Sequence, residues 1–191
     1  MSFILASASP RRRELLRLAG VTNFSVCPAE VNEDLPAGLP PDEAVILLSR
    51  LKAAAAAAVH SPDDVILAAD TLVFLDGAPL TKPSDDDDAF RMLSSLSGRS
   101  HQVFTGYTIF HRSVFHSRAE RTDVYFRSLE EAEIRDYIAS GESSDKAGAY
   151  GIQGRASVFI SRIEGDYYNV MGLPVCSLYT MLHSLGLEQK F

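Results

Sequence analysis

The stretch "VILAADTLVFLDGAPL", Val65 to Leu80, decides the fold. A long apolar run of β-forming residues meets Asp76-Gly77 and then a short return. The run reads as a buried strand, and Asp-Gly between two such segments is a tight hairpin turn. An antiparallel pair is therefore set into a chain whose other elements alternate. Upstream, Phe3 to Ala6 reads as a short buried strand and residues 24–28 (FSVCP) as another. Asp42 to Val59 reads as a helix with Leu47, Leu48 and Leu51 on one side, and its run Ala53 to Ala58 suits a helix because alanine is the best helix former. Downstream, Ser84 to Leu96 reads as a helix, His101 to Phe110 and Asp123 to Phe126 as strands, and Ser128 to Ser140 as a helix opened by a capping box of Ser128 and Glu131. Val158 to Ile163 reads as a strand and Pro174 to Leu185 as a closing helix. Interleaved strands and helices make the class α/β, and the hairpins make the sheet mixed.

The chain has 191 residues, a length that suggests one domain or two lobes sharing a sheet, with a core large enough to need no staples. Eighteen Lys and Arg stand against 25 Asp and Glu, a formal charge of 18 − 25 = −7. That balance argues against nucleic acid as a partner, which favours a basic footprint. No apolar run approaches the ~18 residues of a membrane span, so no membrane partner is expected. Cys27 and Cys176 stand apart with no CxxC, which reads as reduced thiols in a cytoplasmic protein.

In such an acidic chain, "LASASPRRRELL" (Leu5 to Leu16) is unusual. A short strand stops, Ser9 is a natural N-cap, Pro10 takes the first helical position, and Gly20 ends the helix. At about 100° per residue with Leu15 at 0°, Leu16 falls at about 100° and Ala19 at about 40°. Arg12 falls at about 60°, inside that apolar face, Arg11 on its margin, and Arg13 outside it. The free N–H groups and the positive dipole end lie at the same place. Helix terminus, serine hydroxyl and guanidinium together make a phosphate site, whereas the bland alternative is a surface triad paired with carboxylates of the same chain.

Asp70 interrupts the most hydrophobic strand between Ala69 and Thr71. A carboxylate there is a structural ion-pair member, or else a metal ligand or general base. Lys82 follows shortly, in "LTKP". Glu33, in the polar "EVNEDLP", reads alone as a surface residue, and Asp85 to Asp88 read as acids complementing a helix dipole rather than a metal site. "DKAGAYGIQG" (Asp145 to Gly154) has glycines at i, i+3 and i+6 with Lys146 and Gln153, and fits neither dinucleotide nor P-loop patterns. Tight packing and a ligand loop remain equal readings of it. The five histidines have no zinc spacing, and His101 suits a structural hydrogen bond. No nucleophile elbow or paired cysteine points to covalent catalysis. Cations with lone carboxylates are the equipment for metal-assisted attack of water on a phosphate ester.

Together, "SASPRR" at 7–12, "VNE" at 31–33, Lys52, "AADT" at 68–71, "KP" at 82–83, "SGRSHQVFT" at 97–105, "DKAGAYGIQG" at 145–154 and "YYNVMGLP" at 167–174 resemble the Maf family of nucleoside triphosphate pyrophosphatases. The resemblance implies one Maf-like domain over 1–191. Its α/β fold has an elongated mixed sheet flanked by helices and two lobes with a central cleft, as in inosine triphosphate pyrophosphatases. It implies cleavage of a nucleoside triphosphate to monophosphate and pyrophosphate with a divalent cation, Mg2+ or Mn2+, and a homodimer. By resemblance Asp70 is the proton acceptor, Glu33 meets the metal, and Ser9, Arg12, Lys52 and Lys82 serve the phosphates; Arg13 and Lys146 are further candidates for substrate binding and Asp70 a second candidate for the metal. Arg12, Thr71 and Gln153 match positions tied to base selection.

The "DKAGAYGIQG" segment resembles the dTTP and UTP branch of that family, and Gln153 disfavours the branch that takes 7-methyl-GTP. Asp166 stands where a small residue is commoner, an extra acid expected to weaken triphosphate binding slightly. A nucleotide-binding regulator of cell division without catalysis is the other class of reading. The carboxylates Glu33 and Asp70 favour the enzyme, since a pure binder would not need them.

Overall fold

The computed structural model of the chain describes residues 1–187, so the last four residues of the expected 1–191 domain lie outside the described residues. Seven strands and six α-helices follow in the order β1 (Phe3–Leu5), α1 (Pro10–Leu18), β2 (Ser25–Val26), α2 (Pro41–Ala57), β3 (Val65–Leu75), β4 (Ala78–Leu80), α3 (Asp86–Leu96), β5 (Ser100–His111), β6 (Val114–Phe126), α4 (Glu131–Ala139), β7 (Ile160–Glu164), α5 (Tyr167–Met171) and α6 (Val175–Ser184). Two 3-10 turns, Ala147–Ala149 and Arg155–Phe159, precede β7. The strands form one sheet in the order β2-β1-β3-β5-β6-β7, with β4 paired to β3 beside it. β1 runs parallel to β2 and β3, whereas β4 on β3 and β7 on β6 are antiparallel. The sheet is mixed, as the Asp76-Gly77 hairpin requires, and Asp76 at φ 53° and Gly77 at φ 78° take the left-handed turn positions.

The chain divides into two compact units. The first comprises Met1–Asp70, Thr105–Glu120 and the chain from Gly172 on, and the second comprises Thr71–Phe104 and Arg121–Met171. In the first unit, Ile4, Ala6, Ile66 and Ala68 of the sheet pack with Ala53 and Ala56 of α2, backed by Phe110 and Phe115. The alanine run is thus a helix face slim enough to lie close on strands. α1 packs on α6, and the buried Tyr107 of β5 reaches Ser177 of α6 with its hydroxyl, 2.9 Å away. Ser9 caps α1 by accepting from Arg12 N at 3.4 Å, Pro10 occupies its first turn, and Gly20 follows its end at φ 89°.

The second unit buries Val73, Leu93, Val103, Val124, Ile134 and Phe159 among others. His101, fully buried, meets the Tyr150 hydroxyl through Nε2 at 2.7 Å and stacks edge-on with Tyr150 and Phe126. Its role is structural, as its place at a strand start suggested. Desolvation pulls the imidazole pKa down to about 4, and the charge of Asp123 only partly offsets this.

Several boundaries differ from the sequence reading. α3 starts at Asp86, not Ser84, because the Asp85 carboxylate is the cap, accepting from Asp88 N at 2.7 Å. The acidic run is therefore helix-start chemistry, and no cluster of three metal-ligating side chains occurs among the described residues. The capping box lies at Glu130 and Glu133, not Ser128 and Glu131: Glu133 accepts from Glu130 N at 3.0 Å, while Leu129 N is held by Ser97 Oγ at 2.8 Å. β7 begins at Ile160, not Val158, because Val158 and Phe159 belong to the 3-10 turn Arg155–Phe159, and β6 begins nine residues before Asp123, at Val114.

Candidate active site

In the first unit three segments meet around one ammonium. β3 places Asp70 at its centre, 8% exposed. α2 carries Lys52 five residues before its end, with 13% of the side chain exposed. The loop before α2 supplies the exposed Glu33, steadied by Asn32, whose side-chain oxygen accepts from Asp34 N at 2.9 Å. Lys52 Nζ donates to Asp70 Oδ1 in a short contact and lies 2.7 Å from Glu33 Oε1. Two carboxylates thus share one cation, and the trio carries a formal charge of −1. Glu33, which alone reads as a surface residue, is one arm of this bridge.

α1 brings the second cationic group. Arg12 Nε donates to the Gly172 carbonyl at 2.8 Å, and Nη1 donates to Ser7 Oγ at 3.2 Å. Burial holds the guanidinium below the ordinary arginine range and the Arg11 charge adds to that, while Asp70 and Glu33 pull the other way. Arg12 therefore sits within the field of both carboxylates, on the apolar side of its helix as the wheel placed it. The Ser9 hydroxyl and the free N–H groups of the first turn stand at the same helix end. Arg13 is half-buried: Nη2 donates to the Ala8 carbonyl at 3.0 Å, and its buried Nε has no hydrogen-bond partner among the described residues.

The second unit holds Thr71, Lys82, Lys146 and Gln153. Lys82 is exposed, just after β4. Lys146 Nζ donates to the Glu142 carbonyl at 2.7 Å and to Asp145 Oδ1 at 2.5 Å. The glycines of 145–154 earn their place by packing: Gly148 takes φ 70° and donates to the Thr81 carbonyl at 3.1 Å, and a Cβ at Gly151 would lie 2.8 Å from Lys146 Cε. Gln153 is half-buried beyond them. Asp166 is local architecture, its carboxylate accepting from Tyr168 N at 2.8 Å at the start of α5. Sequence reasoning singled out neither Ser7 nor Gly172, the groups that hold Arg12. Both lie inside quoted motifs, but a residue that acts through a hydroxyl or a carbonyl has no charge to draw the eye.

Comparison with known proteins follows this geometry. A family model described as "Maf-like protein" matches residues 2–185. A dTTP/UTP pyrophosphatase of Syntrophomonas wolfei is 51% identical over 184 residues, covering 95% of this chain and 96% of that protein. A dTTP/UTP pyrophosphatase of Bacillus cereus (strain B4264) is 45% identical over 185 residues, covering 97% and 96%. Among solved structures, the Ham1 protein of Staphylococcus aureus is similar with a TM-score of 0.53 at 14% identity, covering 97% of this chain and 100% of that one. A HAM1 protein of Coxiella burnetii gives 0.52 at 14%, covering 96% and 99%. At such identity the two likenesses speak for the fold alone.

Proposed function

The chain belongs to the Maf family, matched over residues 2–185, and from that premise we propose that it is a nucleoside triphosphate pyrophosphatase acting on dTTP and UTP. Two relatives of that description cover nearly the whole chain. The observation that carries the chemistry is the Glu33–Lys52–Asp70 bridge: a buried carboxylate, a second carboxylate and a cation on one spot. In the reaction, water attacks the α-phosphorus, the bond to the bridging oxygen breaks, and pyrophosphate leaves. Asp70 accepts the proton of the attacking water. The helix start at Ser9, with Arg12 and Arg13, binds phosphate oxygens, and Lys52 offsets charge on the transferring group. On the family resemblance Lys82 serves the phosphates and Thr71 and Gln153 the base, and Lys146 is a further cation offered to substrate.

The donor set fits a divalent cation. Glu33 and Asp70 are hard oxygen donors already close enough to share one positive group, and Mg2+ is commonly held by one or two carboxylates plus substrate phosphates. Bound there, Mg2+ or Mn2+ would polarise the phosphoryl oxygens and supply an activated water. The same reading includes the cytoplasm, supported by the free thiols of Cys27 and Cys176, and a homodimer, supported by family resemblance and read by sedimentation. No helix among the described residues is long and apolar enough to cross a membrane.

The test is pyrophosphate release from UTP, dTTP, CTP and 7-methyl-GTP, with and without divalent ion. Gln153 offers donor and acceptor to the uracil edge, whereas cytosine reverses that edge and leaves a donor such as Arg12 unmatched. UTP and dTTP should exceed CTP about tenfold or more in kcat/KM. Equal rates for CTP and UTP would remove the base-edge argument, and preference for 7-methyl-GTP would move the chain to the other branch.

A further inference from the structure

Lys52 lies near the end of a 17-residue helix, and its bridge to two carboxylates demands that the helix keep one register on the sheet. Along the helix each residue advances about 1.5 Å, so a slip of one residue would break a 2.7 Å contact. Alanine surfaces such as Ala53 and Ala56 slide easily, because they offer no shape to lock.

What stands against sliding is a polar track on one face of β5. Gly106 and Thr108 are two residues apart and so share that face. At Gly106 the helix backbone touches the strand: a Cβ there would collide with the carbonyl of Val45 and lie 2.7 Å from Ile46 N. One turn further along α2, buried Ser49 meets buried Thr108 at 2.8 Å, and Thr108 meets Ser117 of β6 at 2.9 Å. Ser49 Oγ also donates to the Ile46 carbonyl at 2.9 Å, which uses its one proton. The direction of the chain is then fixed: Ser117 donates to Thr108, Thr108 to Ser49, and Ser49 to the helix backbone. Three hydroxyls in line across a core are costly unless every one is satisfied, and a satisfied chain of this kind specifies one arrangement. Lys52 stands one turn beyond Ser49, on the same side.

We propose that Gly106, Thr108 and Ser49 are positioning residues that set the axial register of α2 and thereby hold the Lys52 ammonium between Glu33 and Asp70. This rests on the pyrophosphatase reading for its activity readout, but not for its geometry. Thr108→Val keeps shape and deletes the hydroxyl, and Thr108→Ser keeps the hydroxyl. Measured on UTP well below the melting temperature, Thr108→Val should lose about tenfold in kcat, the scale on which small misplacements act, with Thr108→Ser near wild type. Added to Lys52→Met, Thr108→Val should cost nothing further, because residues acting as one unit are not additive. Thr108→Val with wild-type kcat, or equal additional loss in the Lys52→Met background, would overturn the proposal. Wild-type protein without turnover would reject the activity instead. The register would then be read from amide exchange of residues 45–53, expected to quicken in Thr108→Val and to stay unchanged if the proposal is wrong.

Discussion

Asp70 is buried in an apolar strand and satisfied there by Lys52, so its carboxylate has a partner whether or not substrate is present. Asp70→Asn keeps the shape and removes the charge. Turnover should fall at least ~10²-fold while nucleotide binding stays measurable. A folded Asp70→Asn protein with near-wild-type hydrolysis would end the proton-acceptor role. Arg12 donates to the Gly172 carbonyl through Nε and to Ser7 Oγ through Nη1, which aims the guanidinium at the start of α1, where an anion is favoured. Arg12→Ala should cost ~1.5–3 kcal/mol of substrate affinity, about 10- to 150-fold in KM. A lower melting temperature with unchanged KM would make it a structural residue. Much at this scale was legible: a carboxylate amid apolar neighbours and an arginine on an apolar helix face are both written in the sequence. The meeting of Glu33, Lys52 and Asp70 was not, because each comes from a separate element and no spacing encodes their approach.

At the scale of elements, the hairpin after β3, the Ser9 cap and the alanine helix were readable because turn and cap chemistry is local. The first half of β6 was not. Its side chains from Val114 to Arg121 are mostly polar and at most partly buried, with no alternation to betray a strand. α5 has five residues, too short for any periodicity. The helix starts slipped by two or three residues where a neighbouring acid or an outside serine took over the cap. His101 on β5 gives a prediction of its own. The unfolded chain binds a proton near the ordinary histidine pKa of 6.5, while the folded one resists until about pH 4. Its contribution is therefore complete above pH 6.5 and is lost as pH falls toward 4, roughly 3 kcal/mol over the full window. Melting temperatures near pH 7 and pH 4.5 should fall more steeply for wild type than for His101→Gln. Parallel slopes for the two proteins would show that the buried imidazole is not the sensor.

For the whole molecule, the chain passes from one unit to the other four times, at residues 70/71, 104/105, 120/121 and 171/172. Neither unit is a continuous sequence, and composition alone had shown only that one or two bodies were affordable at this length. The first unit draws Gly106, Tyr107 and Thr108 from the middle of the chain against α2 and α6, beside the support α2 has from β1 and β3 and α6 has from α1. A fragment of residues 1–104 should therefore show no cooperative thermal transition by circular dichroism, since loss of those contacts removes much of its core. A sharp transition in that fragment would mean that the early strands and helices suffice.

The ammonium of Lys52 between two acids has a consequence for supply. Two carboxylates pressed together with nothing between them would repel, and many metal sites are left unfolded or distorted until the ion arrives. Here the Lys52 ammonium already lies between the two acids, so their approach needs no ion. Chelator should abolish turnover yet leave the melting temperature within about a degree or two, the effect of a ligand that adds little to folding. A large drop in melting temperature would show that the lysine does not suffice. On the metal-assisted reading proposed above, a cell short of divalent metal would hold a stock of finished, idle protein, ready to work as soon as the ion returns.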